Sequence, residues 1–179
     1  MDARSLIALA HPLRIRIRDR LRREGPATAS QLARQFGESS GATSYHLRML
    51  ARHGFVEPVP DRGTGRERWW AVVPQVLKIG RQFDDDPTTR DALRIVATEQ
   101  HRLTEERLGR WLAEAASWSR EWRESAADSV YVARLTSRQM AELSEELGRL
   151  ILRSVALIPE PESRTVEIQL NVFPTGDPE

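Results

Sequence analysis

Three sets of side chains in this sequence have the types and spacing to do chemistry. The first is Ser39, Ser40, Gly41, Ser44, Tyr45 and Arg48. Serine hydroxyls can bond phosphate oxygens or base edges, and an arginine can pair with a phosphate or read guanine through two parallel N–H donors. Tyr45 suits stacking on a sugar or contact with a thymine methyl group. The second set is Arg62 and Arg66, placed around the flexible Gly63 and Gly65, where guanidinium groups could reach a polyanion. The third is Gln100, Arg107, Trp111 and Trp118, with Trp122 beyond, all on one face at helical spacing. Large aromatics leave irregular gaps, and an apolar gap with a few polar groups suits a small organic ligand. The competing reading of the same stripe is plain dimer core.

Parts for catalysis are missing. No G-x-x-x-x-G-K-[ST], H-E-x-x-H or G-x-S-x-G motif occurs, and Gly63-x-Gly65 sits in a hairpin, not between a strand and a helix. No catalytic residue, cofactor or enzyme activity is expected. The absence of cysteine excludes disulfides, thiolate metal sites and cysteine nucleophiles, and fits a cytoplasmic location. His101 and Glu105 lie one helical turn apart, with Asp91 and Glu99 on the same stretch. Such pairs are common on solvated helices, so no metal site is expected. The apolar run over residues 6–10 is too short for a signal peptide. No run approaches the ~20 residues of a membrane span, and no membrane partner is expected.

The elements that must position these residues begin as helix, turn, helix and wing. Pro12 suits the first turn of a helix that Gly25-Pro26 ends, with Leu13, Ile17 and Leu21 as its stripe. Leu13, Ile15 and Ile17 alternate with arginines and locally mimic a strand, but the span from Pro12 to Gly25 favours helix. Thr28 offers an N-cap for a helix over 29–35, with Leu32 and Phe36 inward and Gly37 as its break. Ser39 caps the next helix, which runs to about His53 and closes at Gly54. Thr43, His46, Leu47 and Leu50 share its inward side, which makes His46 a core histidine. The first chemical set lies on the other side. Residues 55–59 and 66–73 read as a hairpin, with Trp69 and Trp70 on opposite faces.

Pro74 and Asp84-Asp85-Asp86-Pro87 mark a boundary, after which Thr88 or Thr89 caps one unbroken helix to about Ser125. Such a helix is roughly 45–55 Å long at ~1.5 Å per residue. Its stripe from Leu93 to Trp122 is too long for a small domain to cover, and a partner helix is the simplest cover. A strand over 129–135 follows, then a helix opened by a Thr136/Gln139 capping box, then a half-buried strand over 166–172. That helix carries Met140, Leu143, Leu147, Leu150 and Ile151 as a stripe.

The formal net charge of +1 conceals a division. Residues 1–80 hold 14 basic residues against 7 acidic ones, and residues 81–179 hold 13 against 19. A polyanion-facing module joined to a separate acidic body is the implied organisation.

The first segment resembles the ArsR-like bacterial winged helix-turn-helix regulators. The resemblance rests on Ala8-Leu9-Ala10-His11-Pro12-Leu13-Arg14, on Ala29-Ser30-Gln31-Leu32-Ala33, and on Ser44-Tyr45-His46-Leu47-Arg48-Met49-Leu50 followed by Gly54-Phe55-Val56. The arginine-rich wing ending in Arg68-Trp69-Trp70 completes it, so residues 5–73 are covered. It implies a homodimer with recognition helices in successive major grooves and wings on the flanking backbone or minor groove. The family pattern has a β-branched apolar residue where this chain has Thr43, and often Ser or Thr where it has Gly41.

The expected fold is mainly α with small β elements. A winged helix-turn-helix domain over 1–75 and a linker over 76–88 precede a C-terminal α+β dimerisation domain over 89–179, built from the long helix and a strand–helix–strand. The expected function is sequence-specific binding of double-stranded DNA by a homodimeric transcriptional regulator, a repressor on an inverted repeat. Any small-molecule effector is expected to be organic, not a metal. The rival is a winged-helix module that docks protein without specific DNA binding.

Overall fold

Asp2 opens the first helix: its Oδ1 accepts from the Ser5 amide at 2.7 Å and caps α1 (Ala3–Leu9). This helix was not expected; residues 6–10 register in the sequence only as a short apolar run. The computed structural model describes residues 1–60, 62, 67–74, 86–155, 157–158 and 160–176. It divides them into two units, Met1–Arg123 and Glu124–Glu179.

In the first unit, Pro12 starts α2 (Pro12–Glu24) and the left-handed backbone of Gly25, φ 81°, ends it. The helix is buried on several sides at once, because α4, α5 and β3 all pack against it. Leu13, Ile15, Ile17 and Leu21 are therefore all buried, which explains the strand-like alternation in the sequence. Thr28 ends β1 (Ala27–Thr28) and also caps α3 (Ala29–Phe36). The Thr28 Oγ1 accepts from the Gln31 amide at 3.2 Å, and the Gln31 Oε1 accepts from the Thr28 amide at 2.9 Å. Gly37 (φ 69°) makes the left-handed turn into α4 (Ser40–Arg52).

The hairpin is β2 (Val56–Pro58) and β3 (Trp69–Val72), in antiparallel register Val56↔Val72 and Pro58↔Trp70. Strand β1 was unexpected, since two residues carry no periodicity. It adds to the other edge, with Ala27 opposite Trp70, giving the order β1-β3-β2. Trp70 is buried and Trp69 half-buried, in keeping with opposite faces of one strand. The linker expected over 76–88 lies outside the described residues except for 86–88.

Two expectations about the long helix need correction. Its cap is Asp86, not Thr88 or Thr89: the Asp86 Oδ2 accepts from the Thr89 amide at 2.9 Å, and Pro87 fills the first turn. Nor is the helix unbroken. α5 (Pro87–Glu114) passes into a 3₁₀ turn (Ala115–Ser117), Trp118 is extended, and α6 (Arg120–Ser125) follows. Apolar periodicity survives a change of helix type, so it does not report the break. The N-terminal part of the stripe is also covered within the chain. Ala92, Leu93 and Val96 join the core with Leu6, Leu9 and Ile17, and α5 packs on α1 and α2.

In the second unit, α7 (Ser137–Val155) starts at the expected capping box: the Thr136 Oγ1 accepts from the Gln139 amide at 3.3 Å, and the Gln139 Oε1 from the Thr136 amide at 2.9 Å. The strands expected over 129–135 and 166–172 are not formed; among the described residues neither segment joins a ladder. Alternation of side chains specifies a face, whereas a strand also needs a partner for its N–H and C=O groups. Among the described residues the protein is mostly helical, with one small winged sheet near its N-terminus.

Candidate nucleic-acid interface

Helix α4 is held by its inward side, where Thr43, Leu47 and Leu50 are fully buried. Thr43 occupies the position of a β-branched apolar residue at no polar cost, because its hydroxyl donates to the Ser39 carbonyl at 3.0 Å. The outward side leaves Ser39, Ser40, Gly41, Tyr45 and Arg48 exposed and Ser44 half-buried. The Ser39 Oγ accepts from the Ala42 amide at 3.1 Å, which caps the helix and leaves the hydroxyl proton to be donated outward. An alanine Cβ at position 41 would meet only the Ser39 Oγ, at 3.9 Å. The chain's own packing therefore does not require glycine there.

Behind this face lies a cluster that the sequence did not reveal as a unit. The His11 and His46 rings are 4.5 Å apart, and Tyr45 meets His46 edge-on at 5.3 Å. His11 caps α2, its Nδ1 accepting from the Leu13 amide at 3.1 Å, so the neutral ring carries its proton on Nε2. His46 is half-buried rather than a full core residue, and its Nδ1 is buried with no hydrogen-bond partner, as is Nε of Arg14. Burial holds both imidazoles below the usual range, and the Arg14 charge adds to this while Glu38 opposes it. Burial also lowers the Arg14 guanidinium. The available signal was His-Pro at a helix start, with Arg14 one turn on from His11.

At the wing, Arg62 is exposed and stands over the Trp69 ring at 4.1 Å, and Arg68 lies 5.6 Å from the Trp70 ring. A stacked guanidinium keeps its N–H edge available while losing little freedom when it binds an anion. Arg66 lies outside the described residues, as do Gly63 and Gly65.

The third set of side chains is only partly brought together. Trp111 and Trp118 meet edge-to-face at 5.6 Å, and Trp118 meets Trp122 at 6.2 Å. Gln100 is half-buried eleven residues before Trp111, roughly 16 Å along α5. Arg107 donates from Nη1 to the Asp19 Oδ2 at 2.9 Å, a shielded ion pair that ties α5 to α2. His101 and Glu105 are exposed, and no group of three or more His, Asp or Glu side chains among the described residues is placed to hold a metal. No helix among them is long and apolar enough to cross a membrane.

Comparison with known proteins bears on the first set. Residues 9–59, from the end of α1 through β2, match the helix-turn-helix domain family. This segment is a helix-turn-helix domain, of a kind characteristic of ArsR-like winged regulators. It is a DNA-binding regulatory module. In this domain α3 and α4 are the helix pair, and the three-stranded sheet supplies the wing. None of the curated proteins compared matches the chain. Among solved structures, the transcriptional regulator Tm0710 from Thermotoga maritima aligns at 12% identity over 83% of this chain and 80% of that one. Its TM-score of 0.33 makes it too distant to bear on fold or function.

Proposed function

We propose that the chain is a sequence-specific transcriptional regulator, a repressor that binds an inverted-repeat operator as a homodimer. The observation that carries this reading is the outward face of α4, small and hydroxyl-bearing at its N-terminal end and cationic at Arg48, on a helix locked into the core by Thr43, Leu47 and Leu50. A narrow helix end can enter a major groove ~12 Å wide. Ser39, Ser40 and Ser44 then face phosphates or base edges, Gly41 and Tyr45 face the groove wall, and Arg48 reads a base. Arg62 and Arg66 on the wing hold the backbone. Two-fold symmetry sets the half-sites about one helical turn apart, roughly 34–36 Å. The edge-to-face ladder of Trp111, Trp118 and Trp122 favours an organic effector over a metal one, with Gln100 and Arg107 of the same stripe set apart from it.

The test is binding to the DNA upstream of the chain's own gene, with single-base operator variants. Arg48→Ala should lose ~1–3 kcal/mol, concentrated on one base position. Arg62→Ala should weaken all sequences alike and make the salt dependence shallower by about one ion. Undiminished binding by Arg48→Ala refutes the assignment of α4, and failure to bind any genomic DNA at low salt favours a protein-docking module instead.

A further inference from the structure

The second unit leaves an apolar strip of α7 open. Met140, Leu143, Leu147 and Leu150 recur at spacings of three, four and three, the pattern of a helix that packs along another helix. Among the described residues of 124–179 none is buried. Leu143 and Leu150 are 38% and 56% exposed, and together with Leu147, Glu146, Arg149 and Arg153 they line an open groove. Glu146 and Arg153 flank the strip on the same side, seven residues apart, and neither forms an ion pair among the described residues.

The order of charges says what fits this groove. Beyond the Arg138–Glu142 pair of the first turns, Glu145 and Glu146 precede Arg149 and Arg153, so this part of the helix is its own electrostatic complement when reversed. In a parallel pair, Glu146 would face Ile151 of a second copy and find no cation. In an antiparallel pair it faces Arg153, and symmetry makes that contact twice. An unrelated partner would need the opposite charge order by coincidence; a second copy has it by construction.

We propose that α7 is a self-docking surface, on which α7 of a second copy lies antiparallel over Leu143, Leu147 and Leu150 and is fastened by two reciprocal Glu146–Arg153 pairs. This rests on the homodimer reading and names the surface that holds the dimer.

The experiment measures the dimer dissociation constant of the full chain by sedimentation equilibrium at low salt. Glu146→Arg and Arg153→Glu each place like charges opposite one another twice, and each should weaken the dimer by tenfold or more. An equimolar mixture of the two single variants should regain wild-type affinity as a heterodimer, because both pairs are then restored. The double variant Glu146→Arg/Arg153→Glu should regain it as a homodimer. A misfolded variant would do neither. A wild-type monomer at micromolar concentration removes the homodimer reading and this surface with it. A wild-type dimer unaffected by every variant removes this surface alone. Weakened single variants that fail to rescue one another overturn the antiparallel arrangement.

Discussion

Replacing Gly41 with alanine separates what the start of α4 contributes to folding from what it contributes to binding. Gly41 is the second residue of α4, directly after the Ser39 cap and Ser40, and is exposed. Its φ is not in the left-handed region, and a Cβ there meets only the Ser39 Oγ, at the ordinary contact distance of 3.9 Å. Alanine therefore fits the native backbone, and its main effect on folding is to remove freedom from the unfolded chain. That effect is worth ~0.4–1 kcal/mol. The first turn makes few intrahelical bonds, so about 0.5 kcal/mol is expected, which raises the unfolding midpoint by about 1–2 °C. On DNA the sign reverses. A methyl group forced into a close-packed contact costs ~1–3 kcal/mol, a loss of roughly five- to 150-fold in affinity. Thermal unfolding followed by circular dichroism and fluorescence anisotropy on the operator read the two effects separately. Higher stability with weaker binding places the start of α4 against the groove. Higher stability with unchanged binding refutes that placement, and lower stability refutes the reading of the local geometry.

Acid should destabilise the fold through the paired histidines, His11 and His46. The unfolded imidazoles titrate near the ordinary 6.5 and the folded ones below it. The unfolded chain thus binds more protons below pH 6.5, so stability falls as pH drops from there towards the folded values and is flat above. Urea midpoints between about pH 5.5 and 8 should show this fall, and His46→Gln should shrink it; an unchanged slope in the variant would put the titration elsewhere. Arg107→Ala removes the shielded pair with Asp19 and should cost the first unit about 1.5–3 kcal/mol, seen as a lower urea midpoint at constant slope. An unchanged midpoint would show that the pair contributes nothing to holding α5 on α2.

Much of the helix-turn-helix was legible because its signals are local. A cap at Thr28, a left-handed glycine at position 37, a second cap at Ser39 and inward residues at helical spacing each fix a boundary from a few neighbouring residues. The outward face of α4 followed by subtraction, once Thr43, Leu47 and Leu50 were assigned inward. The His11–His46 contact was not legible, because it joins residues 35 apart in sequence and depends on how α2 crosses α4. Helix α1 was missed for a similar reason. Its cap at Asp2 is local, but its purpose, packing on α5 more than 80 residues later, is not.

The misread faces beyond residue 86 share a different cause: periodicity shows that a face is apolar without showing what covers it. On α5 the stripe implied a partner helix, yet α1 and α2 cover Leu93 and Val96 from within the chain. On residues 129–135 the same logic implied a strand, yet among the described residues no strand pairs with it and Val130 stays 91% exposed. On α7 the stripe again lacks a cover, but here the flanking charges add the information that apolar spacing alone does not carry. Burial is indifferent to direction, whereas Glu146 ahead of Arg153 distinguishes a parallel neighbour from an antiparallel one. The dimer reading thus keeps only the C-terminal part of its first argument, the stripe from Trp111 to Trp122, and gains a more specific one on α7.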